Sequence, residues 1–389
     1  MNGRFNIRNL YILLFLAEII ITLLFCIYNN FPFVYSDTGS YIRNGVEKFI
    51  PADGRPITYG LFLSITSLKI SLWYVAITQA GLILITVHLL VKTCLGSRKY
   101  AQELLIIIML SVTTSFSYVT GFIMPDIFTP MSCLVGFILI LGKLSKSENY
   151  LLYFIYLISL LMHLSNSLIN LILLSIILLL YIFKIGYFEQ LKIKRVIVLI
   201  IINLISYPIL SGINYTHSNS LAPSNCISRF VVARLSEAGI LQDLLLNNCK
   251  VNINYSTLCP DIDELPADAG NFIWNPSSPS SNLVNCTNKS QTEIRKLIYD
   301  SFKNPVFIFR YIYNSLQTSI KLITNTGIKK QYINKNSYVS KMIKTYFPHE
   351  YESYIKSRQF NNLLNVKKLK YEYIRHRSGF NRRVFCIRP

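Results

Sequence analysis

The stretch KIKRVIVLIIINLISYPILSGIN, Lys192–Asn214, decides the fold class. Three cations, Lys192, Lys194 and Arg195, precede an uncharged apolar run from Val196 to Ile213, and a segment rich in Ser, Asn and Pro follows it. A run of that length matches the hydrocarbon thickness of a bilayer, in which each backbone amide has to be satisfied within its own segment. It reads as a membrane helix whose basic end stays cytoplasmic.

Outward from that stretch the pattern repeats. In 389 residues, 52% are hydrophobic and 15% charged, which excludes an ordinary soluble domain. Leu and Ile dominate without the period-two alternation of a membrane barrel, so the expected fold is an all-α polytopic membrane protein. About seven transmembrane helices are expected: Asn9–Tyr28, one from about Leu72 to Val91, Leu104–Phe122, Ile127–Leu141, Tyr150–Met162, Ser167–Phe183 and Val196–Ile213. The first run is too long for the apolar part of a signal peptide and no small-residue cleavage site follows it, so it is read as retained. Ile57 to Lys69 reads as a surface or re-entrant piece. The halves of Tyr150–Lys184 are each short for a span, and a single tilted helix there would invert everything downstream.

Arg4 and Arg8 place the amino terminus inside, so residues 29–56 form a first outer loop. Lys92, Arg98, Lys99, Lys143, Lys146, Lys184 and the Lys192 cluster then fall on the inner face. Three regions follow: residues 1–213 as a transmembrane domain, 214–300 as an extracytoplasmic Cys-containing segment, and 301–389 as an interfacial helix with a basic tail. The formal charge of +20 resides mainly after Gly327 and in short loops, and no aromatic-basic recognition module accompanies it, so nucleic acid is not an expected partner. Membrane lipid is.

Residues 214–300 hold Cys226, Cys249, Cys259 and Cys286, an even set where oxidation is permitted. Two disulfides are expected, and Cys249 to Cys259 closes the most local loop, although four cysteines allow three pairings and free thiols or metal ligation are the other readings. Cys26, Cys94 and Cys133 read as apolar filler. Four Asn-X-Ser/Thr sequons fall in this Asn-rich part of the chain, at Asn214, Asn254, Asn285 and Asn288. Pro305 to Ile323 is apolar but contains Arg310, Asn314, Gln317 and Lys321, and reads as an amphipathic helix along an interface; crossing instead would make the basic tail cytoplasmic.

Three polar clusters border the apolar runs on the outer side: Ser36-Asp37-Thr38, Met124-Pro125-Asp126 and His163-Leu164-Ser165-Asn166. A carboxylate at a lipid boundary has a raised proton affinity unless a cation is near, so Asp37 set against Arg55 can stay ionised beside an acceptor hydroxyl and act as a base. It can equally cap a short helix beginning near Thr38. Asp126, next to Pro125 in a turn at membrane depth, is read as functional or as a cap for the helix from Ile127. His163 can donate to a lipid phosphate or pack on a neighbouring carbonyl. Glu18, mid-span in the first helix, is expected to pair with His88. No P-loop, dinucleotide fingerprint, HExxH or GxSxG occurs.

The motifs Ser36-Asp37-Thr38-Gly39-Ser40-Tyr41, Gly54-Arg55-Pro56-Ile57-Thr58-Tyr59-Gly60 and Pro125-Asp126 resemble those of the GT-C type of polytopic membrane glycosyltransferase. The segment from Arg234-Leu235 to Trp274 is also similar to the Cys-containing outer segment of a group of bacterial multi-pass membrane proteins. The GT-C resemblance implies sugar transfer from a polyprenyl-phosphate donor to an extracytoplasmic acceptor. Asp37 would be the catalytic base and Asp126 a second acid, with Tyr41, Arg55, Tyr59 and His163 against substrate. It further implies a bacterial inner membrane with the active face periplasmic. A divalent metal is left open, and no ligand set for it is identified. The rival reading is a non-enzymatic carrier or assembly factor whose outer segment binds a partner.

Overall fold

The computed structural model describes residues 7–48, 54–96, 100–186, 191–218, 221–224, 226–249, 258–284, 287–322 and 333–364. Among them secondary structure is helical, with no β-strand and one isolated parallel bridge between Phe33 and Phe122. The chain runs through α1 (Ile7–Thr22), α2 (Leu24–Asn29), α3 (Ser36–Arg43), α4 (Thr58–Ser67), α5 (Leu72–Leu95), α6 (Tyr100–Thr113) and α7 (Phe116–Thr120). It continues with α8 (Phe128–Leu141), α9 (Lys146–Met162), α10 (Leu164–Ile182) and α11 (Ile193–Ser218). Shorter helices follow: α12 (Ser228–Glu237), α13 (Ile240–Asn248), α14 (Ala269–Trp274), α15 (Ser281–Val284) and α16 (Asn288–Phe302). The last three are α17 (Pro305–Leu322), α18 (Tyr338–Tyr346) and α19 (Pro348–Ile355).

Three of these are long and apolar enough to cross a membrane: α5, α10 and residues Ile193–Thr216 of α11. The expectation of seven spans is corrected on this point, because the other four apolar runs are cut into shorter helices for local reasons. The first run breaks at Leu23 (φ −95°, ψ 14°), and α2 ends on Asn30 in the left-handed region (φ 63°). At the end of α6 the hydroxyls of Thr113 and Thr114 bond back to the carbonyls of Met109 and Leu110, and the chain re-forms as the separate α7. Pro125 opens a 3-10 turn ahead of α8. A capping box at Ser145 and Glu148 starts α9, and extended His163 (φ −149°, ψ 135°) divides it from α10. Tyr150–Lys184 is therefore two helices and not one tilted helix.

The molecule comprises two compact units: residues 1–50, 57–209 and 327–389 form the first, and residues 51–56 and 210–326 the second. In the first, the core runs through Phe33, Tyr59, Leu63, Phe128, Tyr156 and Tyr354, all fully or almost fully buried. Its helices have two distinct ends. At one, Lys92 near the end of α5 meets Glu148 at 2.7 Å, and Arg195 donates to the carbonyls of Leu139 (2.8 Å) and Gly142 (2.7 Å) that close α8. Lys143 and Lys146 lie in the connection there, so this end is basic. At the other, Thr129 meets Asn166 at 2.6 Å and Ser167 meets Ser206 at 2.7 Å. The start of α5 is held there by Glu350, which accepts from the Ser71 hydroxyl and, at 2.9 Å, from the Leu72 amide.

The second unit has its own core, built on Val232, Leu241, Leu245, Phe272, Leu283 and Leu297. Cys249 and Cys259 are disulfide-bonded across it, with Cα atoms 5.7 Å apart. Cys226 is also disulfide-bonded, and Cys286 lies outside the described residues.

Candidate functional site

At the loop end of the first unit, Tyr35 is extended and opens α3. Its amide donates to the Thr38 hydroxyl (2.9 Å) while the Thr38 amide donates to the Tyr35 carbonyl (3.1 Å). The helix thus begins two residues earlier than the capping reading of Asp37 requires. Asp37 sits within the first turn, where a carboxylate faces the positive end of the helix, and the Ser36 hydroxyl lies 3.4 Å from it.

The Thr38 hydroxyl also donates to the Ile123 carbonyl at 3.0 Å. Beside it the Phe33 amide donates to Gly121 (3.0 Å) and the Ile123 amide to Phe33 (2.8 Å). These bonds lay the approach to α3 alongside the approach to Asp126. Glycine at 121 leaves room for the Cys26 sulfur, which a Cβ there would meet at 1.9 Å. Asp126 is exposed in the 3-10 turn Pro125–Ile127, whose N-cap is Met124, so it does not hold the capping position.

Beneath the two acids, Tyr41 and Tyr59 meet edge to face at 4.9 Å, and Tyr59 contacts the Phe128 ring at 6.3 Å. Tyr59 is fully buried and donates to Gln79 at 2.8 Å; the Gln79 amide in turn holds the carbonyls of Thr120 (2.8 Å) and Phe122 (3.0 Å). Burial pushes the Tyr59 phenol well up, with the charges of Tyr41 and Asp126 adding to the effect. His163 caps α10, its Nδ1 2.7 Å from the Ser165 hydroxyl. Thr58, one residue before Tyr59, donates to the Leu161 carbonyl.

Of the residues singled out in the sequence, Asp37, Tyr41, Tyr59, Asp126 and His163 are therefore carried on turns and helix ends tied together at one end of the first unit. Arg55 belongs to the second unit, where its guanidinium lies 6.0 Å and that of Arg229 5.0 Å from the centre of the Trp274 ring. Among the described residues no group of three or more His, Cys, Asp or Glu is placed to hold a metal.

Two further residues complete this end, Gln359, which the sequence did not single out, and Gly39, quoted only as part of a motif. Gln359 closes on Val34 from both directions, accepting from its amide (3.1 Å) and donating to its carbonyl (2.9 Å), while its own amide donates to Asn29 at 2.7 Å. Gly39 lets α18 pack directly on α3, since a Cβ there would lie 2.9 Å from the Val339 backbone. Nothing in its local pattern distinguishes Gln359. Gln79 did carry a signal: an amide in the middle of an apolar helix has to find partners. No family model, curated protein or solved structure matches the chain.

Proposed function

We propose that the protein is a membrane glycosyltransferase of the GT-C kind, moving a sugar from a polyprenyl-phosphate donor to an acceptor on the loop side. The observation that supports this reading is the Thr38–Ile123 bond with its flanking Phe33 pairing, which sets the Asp37 and Asp126 turns side by side at the loop end of the first unit. In the proposed step Asp37 takes the proton of the acceptor hydroxyl as its oxygen attacks the anomeric carbon. The bond from that carbon to the donor phosphate breaks, its electron pair leaves with the polyprenyl phosphate, and configuration inverts. His163 holds the departing phosphate, the buried Tyr41 and Tyr59 pack behind the two turns, and Asp126 is the second acid.

The basic end, with Lys92, Lys143, Lys146 and Arg195, is read as cytoplasmic, which makes the Asp37 rim periplasmic in a bacterial inner membrane. The test is transfer of radiolabelled sugar from polyprenyl-phosphate hexoses and pentoses in proteoliposomes. Asp37→Asn is expected to lower the rate by about 10²–10⁴-fold, the usual worth of a positioned base, with insertion and thermal stability kept. Full activity in Asp37→Asn, or no transfer by the unaltered protein from any donor, would sink the assignment and favour the assembly-factor reading.

A further inference from the structure

The helix α17 has two unlike faces. Phe307, 9% exposed, enters the core of the second unit, Tyr311 packs against Phe302 with ring centres 5.5 Å apart, and Arg310 pairs with Asp243. On the opposite face Val306, Phe309, Tyr313, Leu316 and Ile320 are between 60% and 74% exposed. Their spacing of three, four, three and four residues is that of a single stripe, about 20 Å long at the helical rise. A large contiguous apolar face left open on a folded unit marks a place where something else binds.

Charge and attachment identify the occupant. No acid occurs from Pro305 to Leu322; Lys303, 3.3 Å from Asp300, precedes the helix and Lys321 lies in its last turn, so a cation stands at each end of the apolar stripe. Apolar side chains between cations match the boundary where acyl chains meet anionic headgroups. The second unit is moreover joined through α11, which is long and apolar enough to span a bilayer, so it cannot leave the membrane surface. Since α17 buries Phe307 and pairs Arg310 on its inner side, it has an apolar face rather than an apolar circumference, and it lies along a membrane and not across one.

We propose that the Val306–Ile320 face of α17 seats in the headgroup layer of an anionic bilayer. This rests on the membrane reading of the chain and not on sugar transfer. The test places a nitroxide by cysteine substitution at Phe309, Tyr313, Leu316 and Ile320 in turn, in the full chain, in vesicles of phosphatidylcholine with phosphatidylglycerol and of phosphatidylcholine alone. The off-stripe Ser315 serves as reference and Ile176 in α10 as the spanning control.

Stripe positions are expected to be several-fold more accessible to oxygen, relative to a water-soluble nickel chelate, than Ser315, with the contrast reduced in the uncharged vesicles. Stripe positions open to the nickel chelate would overturn the proposal. So would low access to both reagents with spin–spin broadening, the signature of a second copy on this face, and so would oxygen access on every side, the signature of a span. A water-like signal at Ile176 would instead defeat the membrane reading itself.

Discussion

Single residues set the terms at both ends of the first unit. The Lys92 ammonium, 2.7 and 2.8 Å from the two Glu148 oxygens, holds the Glu148 carboxyl down to about 2, against an ordinary value of 4.5. A depressed native value means that the pair's contribution is whole above about pH 4.5 and is lost as pH falls toward 2. Glu148→Gln is accordingly expected to lower stability by on the order of 1 kcal/mol near neutrality. The gap in thermal midpoint from the unaltered protein should stay flat above that pH and close on acidification; a gap that widens in acid contradicts the assignment. The sequence made some such pairs legible and hid others. Glu18 and His88, expected to find each other because a lone acid in an apolar helix is costly, lie 2.8 Å apart. Gln359 hid because an amide in a polar tail is unremarkable until its partner, Val34, is placed beside it.

At the level of elements, close backbone approach decides which helices can meet. A Cβ on Gly45 would fall 1.9 Å from the Gly60 carbonyl oxygen, so the turn after α3 and the start of α4 touch backbone to backbone. Gly45→Ala is expected to cost roughly 1–3 kcal/mol through forced separation, read as a drop in thermal midpoint in detergent. Gly81→Ala, with nothing within 4 Å inside α5, is expected to leave it unchanged or raise it, since Ala is the better helix former. An equal drop at both positions would show that close backbone approach is not responsible. Helix existence was well marked by apolar runs, and the local Cys249–Cys259 bridge by loop length. Helix continuity was not, because a Leu23 kink or a Thr113–Thr114 pair bonding to its own helix leaves hydropathy untouched while breaking the rod. Cluster composition pointed to Asp37, Asp126 and His163, but not to Thr38 as the residue that ties the Asp37 turn to the Asp126 turn.

For the whole molecule, the two-ended layout of the first unit gives a prediction independent of chemistry. Ser36 and Lys356 are exposed on segments tied to the loop end, through Thr38–Ile123 and Gln359–Val34, whereas Lys143 is exposed at the basic end. Single cysteines at these three positions, with Cys94, Cys133 and Cys386 replaced by Ser, are expected to react with an impermeant maleimide from one side for 36 and 356 and from the other for 143. Labelling of 356 together with 143 would break the layout. The Gln359–Val34 clamp also orders events in time, because its halves are 325 residues apart in the chain. At about 5–20 residues per second, the ribosome delivers Gln359 on the order of tens of seconds after Val34 has emerged. Until then the extended segment leading to Asp37 is held on the Phe33 side alone. Assembly of this rim is thereby coupled to synthesis of the Gln359 segment, and a nascent chain released before it leaves this polar corner unlatched.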